Sequence, residues 1–432
     1  MLKRFLFAIS MCFCLQAQAT LDLEQIYLLA LENDPTLKAQ ADALRANQQA
    51  LPKAIAVMLP TLSGGYTTTG NNNALVSSNH YNTRNYGLTL TQPIFHPEQW
   101  GQVYQAHHIQ KQAYALYLAS IQDLVIRVSE RYFAILGAQD DLLFARGQRK
   151  AFARQLEQTQ QRFEVGLIPI TDVHEAKARH DSAAAREISA ENTVANEYEK
   201  LREIIKIPVE DIVTYPRTQA LDLQAPQPND QEAWVTTAHV QNLNVVAAHE
   251  NSKQLKAAIG IQAAGHFPKV DTTASVQRNK STPPFDNTNL SRSISLNVSI
   301  PLFEGGGAYF RTKEASARYD EAQMKLEATQ RSADSQTRQS FRGVLTRISE
   351  VNALNEAVKS NQSALNATQA AYEVGTRTIV DVLNAESDLL SAVRDHSVSR
   401  YNYLLEGLRL KRAAGNLTQD DLFQVNQIII NK

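Results

Sequence analysis

Cysteine is nearly missing: the 432-residue chain has two, Cys12 and Cys14. Both fall in an N-terminal stretch that reads as an export signal, so the mature protein is expected to have none. That excludes disulfides and thiolate metal sites, and a cysteine-free exported chain suits an oxidising compartment. Long apolar runs are missing as well. No stretch approaches the 18 or so consecutive apolar residues of a membrane-spanning helix. Nor is there an excess of one charge. Without Lys3 and Arg4 the 43 basic residues become 41 against 44 acidic ones, a net of −3 that argues against a nucleic-acid partner. Catalytic signatures are also wanting: there is no phosphate loop, no Gly-x-Ser-x-Gly and no HExxH. His107-His108 points to two helix faces, and His174 and His180 lack the i, i+4 spacing of a zinc pair. Gly305-Gly306-Gly307 has no following Lys-Ser/Thr and reads as a flexible bend. No cofactor, no metal and no enzymatic activity are expected.

The export signal comprises Lys3 and Arg4, an apolar core from Phe5 to Leu15, and a small-residue cleavage site at Ala17-Gln18-Ala19. Its core is too short to span a bilayer, which takes roughly 20 residues. Phe13 is too bulky to precede a lipid-modified Cys14. Residues 1–19 are therefore expected to be removed, leaving Thr20 first. An exported chain without a spanning helix is periplasmic, secreted or a β-barrel.

At this length one compact core is too little, and the chain is duplicated. Phe163-Glu164-Val165-Gly166 returns as Tyr372-Glu373-Val374-Gly375, with Asp172-Val173 returning as Asp381-Val382, at an offset of 209. Leu90-Thr91-Gln92-Pro93-Ile94-Phe95 returns as Val298-Ser299-Ile300-Pro301-Leu302-Phe303 at 208, as do Pro60 with Pro268 and Phe133 with Phe341. Generic helical low complexity does not hold prolines in register.

Each copy has the same plan. A helix is expected over about Leu21 to Ala56 and again over about Gln231 to Gly265. Two extended segments come next, then proline-free stretches from Glu98 to Ile168 and from Glu304 to the end. Three-to-four spacing at Ile121, Leu124, Val128, Tyr132 and Ile135, and at Ile379, Leu383, Leu390 and Val393, marks these as helices. Gly166 and Gly375 interrupt them as helix C-caps. Glu98 to Val165 would make roughly 100 Å of helix, and the two shorter helices of a copy about 54 Å each. Stacked end to end, the short helices equal the long one, so each copy reads as a long rod with its glycine turn at one end and its strands at the other. Residues 20–207 are the first repeat, 208–230 a proline-rich mid-rod linker, 231–415 the second repeat, and 416–432 a C-terminal segment.

The strands are expected at about 61–70, 85–95, 268–278 and 291–303. Ile294, Leu296, Val298 and Ile300 alternate with Ser293, Ser295, Asn297 and Ser299; Tyr86, Leu88 and Leu90 alternate with Gly87, Thr89 and Thr91. Their length suits tilted transmembrane strands of about 9–11 residues. One hairpin alone could equally be a small soluble sheet. Four strands leave open edges that lipid does not tolerate, while three chains would supply twelve strands with room for a wet lumen. The linking loops, Gly70 to Arg84 and Arg278 to Asn289, are rich in Asn, Ser and Thr, as external loops are.

These features resemble the TolC family of outer-membrane efflux proteins over essentially the whole mature chain. The likeness is strongest in Arg162-Phe163-Glu164-Val165-Gly166-Leu167 with Ile170-Thr171-Asp172-Val173, and in Val374-Gly375-Thr376-Arg377-Thr378-Ile379-Val380-Asp381-Val382-Leu383; Tyr401-Asn402-Tyr403-Leu404 adds to it. The resemblance implies a mainly α chain carrying a membrane β-barrel: a homotrimer with a twelve-stranded barrel in the outer membrane, continued by a twelve-helix tunnel through the periplasm. It implies an exit duct for multidrug efflux or type I protein secretion, embedded in outer-membrane lipid. Its partners would be a periplasmic membrane-fusion adaptor and an inner-membrane transporter of the RND, ABC or MFS class.

The resemblance also implies site residues. Thr171 and Asp172 would accept bonds from Tyr372 and Arg377, within and between protomers, as a latch on the periplasmic gate, with Gln155 and Gln369 beside it. Gln369 stands where relatives carry an acid. Asp381 would form a lumenal three-carboxylate ring that attracts cations; Asn384, one turn on, departs from a second lumenal Asp in the relatives. The tips Gly166-Leu167 and Gly375-Thr376 would dock the adaptor. For Asp172 and Asp381 a plainer role coexists, as carboxylates favoured at helix N-termini. The competing overall reading is a soluble periplasmic coiled-coil or adaptor protein.

Overall fold

The computed structural model describes residues 20–72, 80–209, 211–214, 221–283 and 287–430. The export signal, parts of both strand-linking loops and part of the linker lie outside the described residues. The first copy contains α1 (Leu23–Asn33), α2 (Pro35–Gln48), α3 (Ala50–Ala56), β1 (Thr61–Asn72), β2 (His80–Phe95), α4 (Pro97–Glu164) and α5 (Ile170–Ile205). The second contains α6 (Gln231–Gln241), α7 (Leu243–Ala263), a 3₁₀ turn at Ala264–His266, β3 (Lys269–Ser281), β4 (Thr288–Ser299), α8 (Gly307–Glu373) and α9 (Ile379–Ala414), followed by α10 (Gln419–Ile430). The long helices have 68 and 67 residues and the helices after the glycine turns 36 each. Among the described residues no helix is long and apolar enough to cross a membrane.

The first helix of each copy is not continuous, contrary to the expectation. It breaks after Asn33 and after Gln241, at positions 208 apart. Asp34 and Asn242 take nearly the same backbone angles, φ −60 and ψ 118 against φ −61 and ψ 118. Each donates its N–H to the helix it ends, at Ala30 O (2.8 Å) and Ala238 O (3.0 Å). Each then caps the next helix: Asp34 accepts from Leu37 N at 2.6 Å, and Asn242 from Asn244 N and Val245 N. Pro35 forces the first break, because the residue before a proline avoids the helical region. The second has no proline and depends on the Asn cap alone.

The α5 and α9 helices end at positions 209 apart, both in the left-handed region, with Lys206 at φ 65 and Gly415 at φ 85. A side chain there costs about 1–2 kcal/mol, and glycine returns roughly half of that as added unfolded-state freedom. Lys206→Gly is thus expected to stabilise the protein by about 0.5–1 kcal/mol. The check is the urea midpoint followed by helical circular dichroism at unchanged slope.

Two compact units emerge. One gathers residues 1–37, 122–231 and 338–432. Its core includes fully buried Leu23, Ile26, Tyr27, Leu124, Tyr132, Ile205 and Leu422. Leu21 bridges to Ile212, and Tyr132 donates its hydroxyl to Val213 O at 2.5 Å. Asn426 of α10 accepts from Leu23 N, and Gln122 donates to the carbonyls of Gly415 and Leu417. Linker, chain start and C-terminal helix thus share one core. Asp34, 1% exposed, is paired with Arg127 at 2.8 Å. Burial acts to raise its carboxyl, but Arg127 and the N–H of Leu37 outweigh that and hold it below the usual range.

The other unit, residues 38–121 and 232–337, holds the sheet. It is an antiparallel meander in the order β1-β2-β3-β4, so the two hairpins pair through β2 and β3 while β1 and β4 are its edges. Partners across the sheet include Leu62, Leu90, Ala274 and Ile294 in one row and Ser63, Thr89, Ser275 and Ser293 in the next. Because partners share a face, the alternation of single strands becomes two surfaces. One carries Leu62, Leu88, Leu90, Val276, Ile294, Leu296 and Val298. The other carries mostly Ser, Thr, Asn, Gln and Gly, with Tyr81, Lys269 and Asp271 among them. The ladder also runs on through Asn82 and Tyr81, opposite Gly70 and Asn71, polar residues whose alternation did not mark them. The β4 strand ends at Ser299, two residues before Pro301, which has no N–H to give a ladder.

Candidate functional site at the helical tips

The α4–α5 and α8–α9 turns have the same geometry. Gly166 (φ 76) and Gly375 (φ 79) sit in the left-handed region. Leu167 N bonds Arg162 O and Gly166 N bonds Phe163 O, both at 2.9 Å; Thr376 N bonds Ala371 O and Gly375 N bonds Tyr372 O, also at 2.9 Å. Both are Schellman caps, which want glycine. Leu167 (73% exposed), Val165 and Val374 project from the turns. The two turns are thus built alike, and each exposes apolar side chains.

Beyond the turns the two copies diverge. The N-cap of α9 is Thr378, whose hydroxyl accepts from Asp381 N while the Asp381 carboxylate accepts from Thr378 N (2.9 Å) and Thr378 Oγ (2.8 Å). This reciprocal cap, with Arg377 Nη1 3.9 Å away, holds the Asp381 carboxyl below the usual carboxylate range; the Thr378 N–H is the main cause. The N-cap of α5 is Pro169, which has no side chain to offer. Asp172, the counterpart of Asp381, therefore makes no such box and only accepts from Thr171 Oγ at 3.3 Å.

The latch expected within one protomer is not formed. Among the described residues Tyr372 and Arg377 bond neither Thr171 nor Asp172; the pairs lie on separate turns, and Arg377, just before α9, leans on Asp381. Gln155 is 6% exposed, its backbone carbonyl taken by Thr159 Oγ, whereas Gln369 and Asn384 are exposed. Thr378 is the residue that had been overlooked, although Thr378-x-x-Asp381 is a legible capping pattern.

Behind the tips, α4 runs between α5 and α9. Towards α5, Arg146 pairs with Glu191 (2.8 Å) and Arg149 with Glu187 (3.0 Å). Towards α9, Gln148 donates to Ser387 Oγ (3.1 Å), Arg394 lies over the Phe144 ring, Tyr401 donates to Asp140 (2.9 Å) and its ring stacks on Phe133. Gly147 allows the close approach, since a Cβ there would meet Leu390 Cδ1 at 2.8 Å. The contacts nearer the tip are mostly polar and partly exposed, and such pairs are worth about 0–1 kcal/mol each. The helices are joined firmly at Phe133–Tyr401 and loosely at the turns. No cluster among the described residues has the donors to hold a metal.

The sequence profile of the outer membrane efflux proteins matches this chain twice, over residues 26–205 and 234–416. The outer membrane protein TolC of Vibrio cholerae is 35% identical over 94% of this chain and 93% of its own. The alkaline protease secretion protein AprF of Pseudomonas aeruginosa is 27% identical over 92% of this chain and 85% of its own. Among solved structures, the Campylobacter jejuni CmeC outer membrane channel superposes with a TM-score of 0.79 at 17% identity, covering 95% of this chain and 89% of that one, a likeness of fold. Matched twice by the profile, and on its relatives' full-length plan, this chain belongs to the outer membrane efflux protein family and is an outer-membrane exit duct reaching into the periplasm.

Proposed function

We propose that three copies close their sheets, edge to edge, into one twelve-stranded barrel, and that their helices continue it as a tunnel. The observation that carries this is the sheet itself: an apolar face and a Ser/Thr/Asn face, neither of them buried, with β1 and β4 unpaired at the edges. Lipid forbids open edges, and closure supplies β4 with the neighbouring protomer's β1. In this reading residues 1–19 are removed, the repeats 20–207 and 231–415 build the stave, and 208–230 with 416–432 form its equatorial belt. The family is not an enzymatic one, and the duct does no chemistry of its own. Membership leaves the soluble adaptor alternative without support.

The gate lies at the periplasmic tips. Asp172 and Thr171, free of a capping box, are the acceptors for Tyr372 and Arg377 of a neighbouring protomer, with Gln155 and Gln369 flanking them. Gly166, Leu167, Gly375 and Thr376 dock the adaptor, whose binding outweighs a few weak links. The adaptor in turn couples the duct to an RND, ABC or MFS transporter. Deleting the gene and measuring both drug sensitivity and secreted protein tests the export role; a strain unchanged in both would overturn it.

Three copies of Asp381 form the lumenal ring. Mutual repulsion raises clustered carboxylates, and the Thr378 cap opposes that rise. A carboxyl held low stays charged as pH falls to the ordinary aspartate value of 3.8, and its contribution to the start of α9 fades only below that. Block of the pore by multivalent cations is expected to persist down to that pH. Asn384→Asp adds a second carboxylate one turn on. At roughly 1 kcal/mol per unit-charge pair at contact range in water, it is expected to lower the half-blocking concentration of a divalent cation by about tenfold. Planar-bilayer recording gives the answer, and identical block in both proteins would sink the ring.

A further inference from the structure

Four cations stand on the apolar face of the sheet: Arg84 on β2, Arg278 and Lys280 on β3, and Arg292 on β4. The register gathers them. Arg84 is directly opposite Lys280, and Tyr86, next along that face, is opposite Arg278. Arg278 is in turn opposite Leu290, so Arg292, two residues further along β4, is its diagonal neighbour. All four are exposed, and none forms an ion pair among the described residues. The only acid on the four strands is Asp271, which lies on the other face and is bonded to His96 at 2.9 Å. Like charges directly opposite each other weaken a ladder. Here they cluster without a counter-charge among the described residues.

Their height along the strands names the missing anion. The β2 and β3 strands run from the helix junctions at Phe95 and Lys269 towards the hairpin loops. Leu90 and Leu88 come first, then Tyr86, whose ring lies 5.0 Å from that of Tyr66, and then Arg84. Paired tyrosines at the end of an apolar band mark a membrane interface. The helices occupy the periplasm, so this is the outward interface. Arg84, Arg278 and Lys280 stand at or beyond the tyrosine level, and Arg292, one row below, has the reach to snorkel up to it.

We propose that Arg84, Arg278, Lys280 and Arg292 form a binding site for the phosphate groups of the glycolipid of the outer leaflet. Guanidinium forks match phosphate bidentately, and two phosphates on one headgroup would neutralise what the opposed Arg84–Lys280 pair leaves uncompensated. The site anchors the barrel at a fixed height in the outer leaflet. It rests on the barrel reading above, in which the apolar face meets lipid.

The test is native mass spectrometry of the purified full-length oligomer titrated with bisphosphorylated lipid A, dephosphorylated lipid A or inorganic phosphate. A juxtamembrane cation contributes several-fold to anionic-lipid affinity, so four together are expected to favour the bisphosphorylated lipid on the order of 100-fold. The Arg84→Gln, Arg278→Gln, Lys280→Gln, Arg292→Gln combination is expected to remove that preference, and lysine at the three arginine positions to keep much of it. Equal binding of the two lipids by the unaltered protein overturns the site, whatever the variants do. So does competition by millimolar inorganic phosphate, which would mark a general anion site. An intact heat-sensitive oligomer without phosphate preference refutes this inference alone; absence of any oligomer refutes the barrel reading with it.

Discussion

Arginine in place of Ile294 is expected to abolish assembly in the outer membrane, whereas arginine in place of Ser293, the adjacent residue, is expected to leave it intact. Ile294 is 83% exposed in the single chain, in a row with Leu62, Leu90 and Ala274. Ser293 belongs to the opposite face, where its hydroxyl meets that of Ser275 at 2.9 Å. A cation on the lipid face near mid-bilayer costs about 2–4 kcal/mol. Threefold symmetry repeats the cost, giving roughly 6–12 kcal/mol per trimer, which is comparable to the stability of a whole domain. On the polar face the same side chain meets water and costs little, while altering ion preference. The readout is the heat-sensitive oligomer in the outer-membrane fraction. Equal yields of both variants would mean that the faces have been assigned to the wrong environments, and loss of Ser293→Arg alone would exchange them.

That contrast depends on register, since slipping one residue exchanges every side chain between faces. Alternation along Ile294, Leu296 and Val298 was readable in one strand at a time. Which strands are neighbours was not: the pairing of β2 with β3 joins residues nearly 200 apart, and no local pattern encodes it. For the same reason the clustering of Arg84, Arg278, Lys280 and Arg292 could not be seen in the sequence, where they are scattered. The glycine turns and helix lengths were readable because a C-cap and a proline-free run are local. The breaks at Asp34 and Asn242 were readable in principle, from Asp34-Pro35 and the repeat offset, but even apolar spacing on both sides of each break hides them. Of the tip, Gly166 and Gly375 were plain, whereas the partners of Asp172 were not, since Tyr372 and Arg377 stand on another turn and the proposed latch joins them to it across protomers.

The second large effect is expected at the tips, without loss of protein. Gly375 adopts φ 79 and has no atom within 4 Å of where a Cβ would stand. A tryptophan there costs about 1–2 kcal/mol of backbone strain and meets no packing conflict within the chain. The α9 helix is held to α4 behind the tips, so Gly375→Trp is expected to accumulate at the ordinary level as the ordinary oligomer. The indole, however, would occupy the surface that a docking helix has to approach. Gly166→Pro acts differently: proline cannot adopt φ 76 and lacks the N–H that Gly166 gives to Phe163 O, so the turn itself must be rebuilt. Both variants are expected to export no better than the deletion strain, in drug tolerance and in secreted protein alike. Gly375→Asn, which tolerates the left-handed region and is small, is expected to retain much of the activity. Normal export by Gly375→Trp at normal protein levels would place docking on the flanks of the helices, and the exposed Val165, Leu167 and Val374 would then be only the apolar trim of two helix caps.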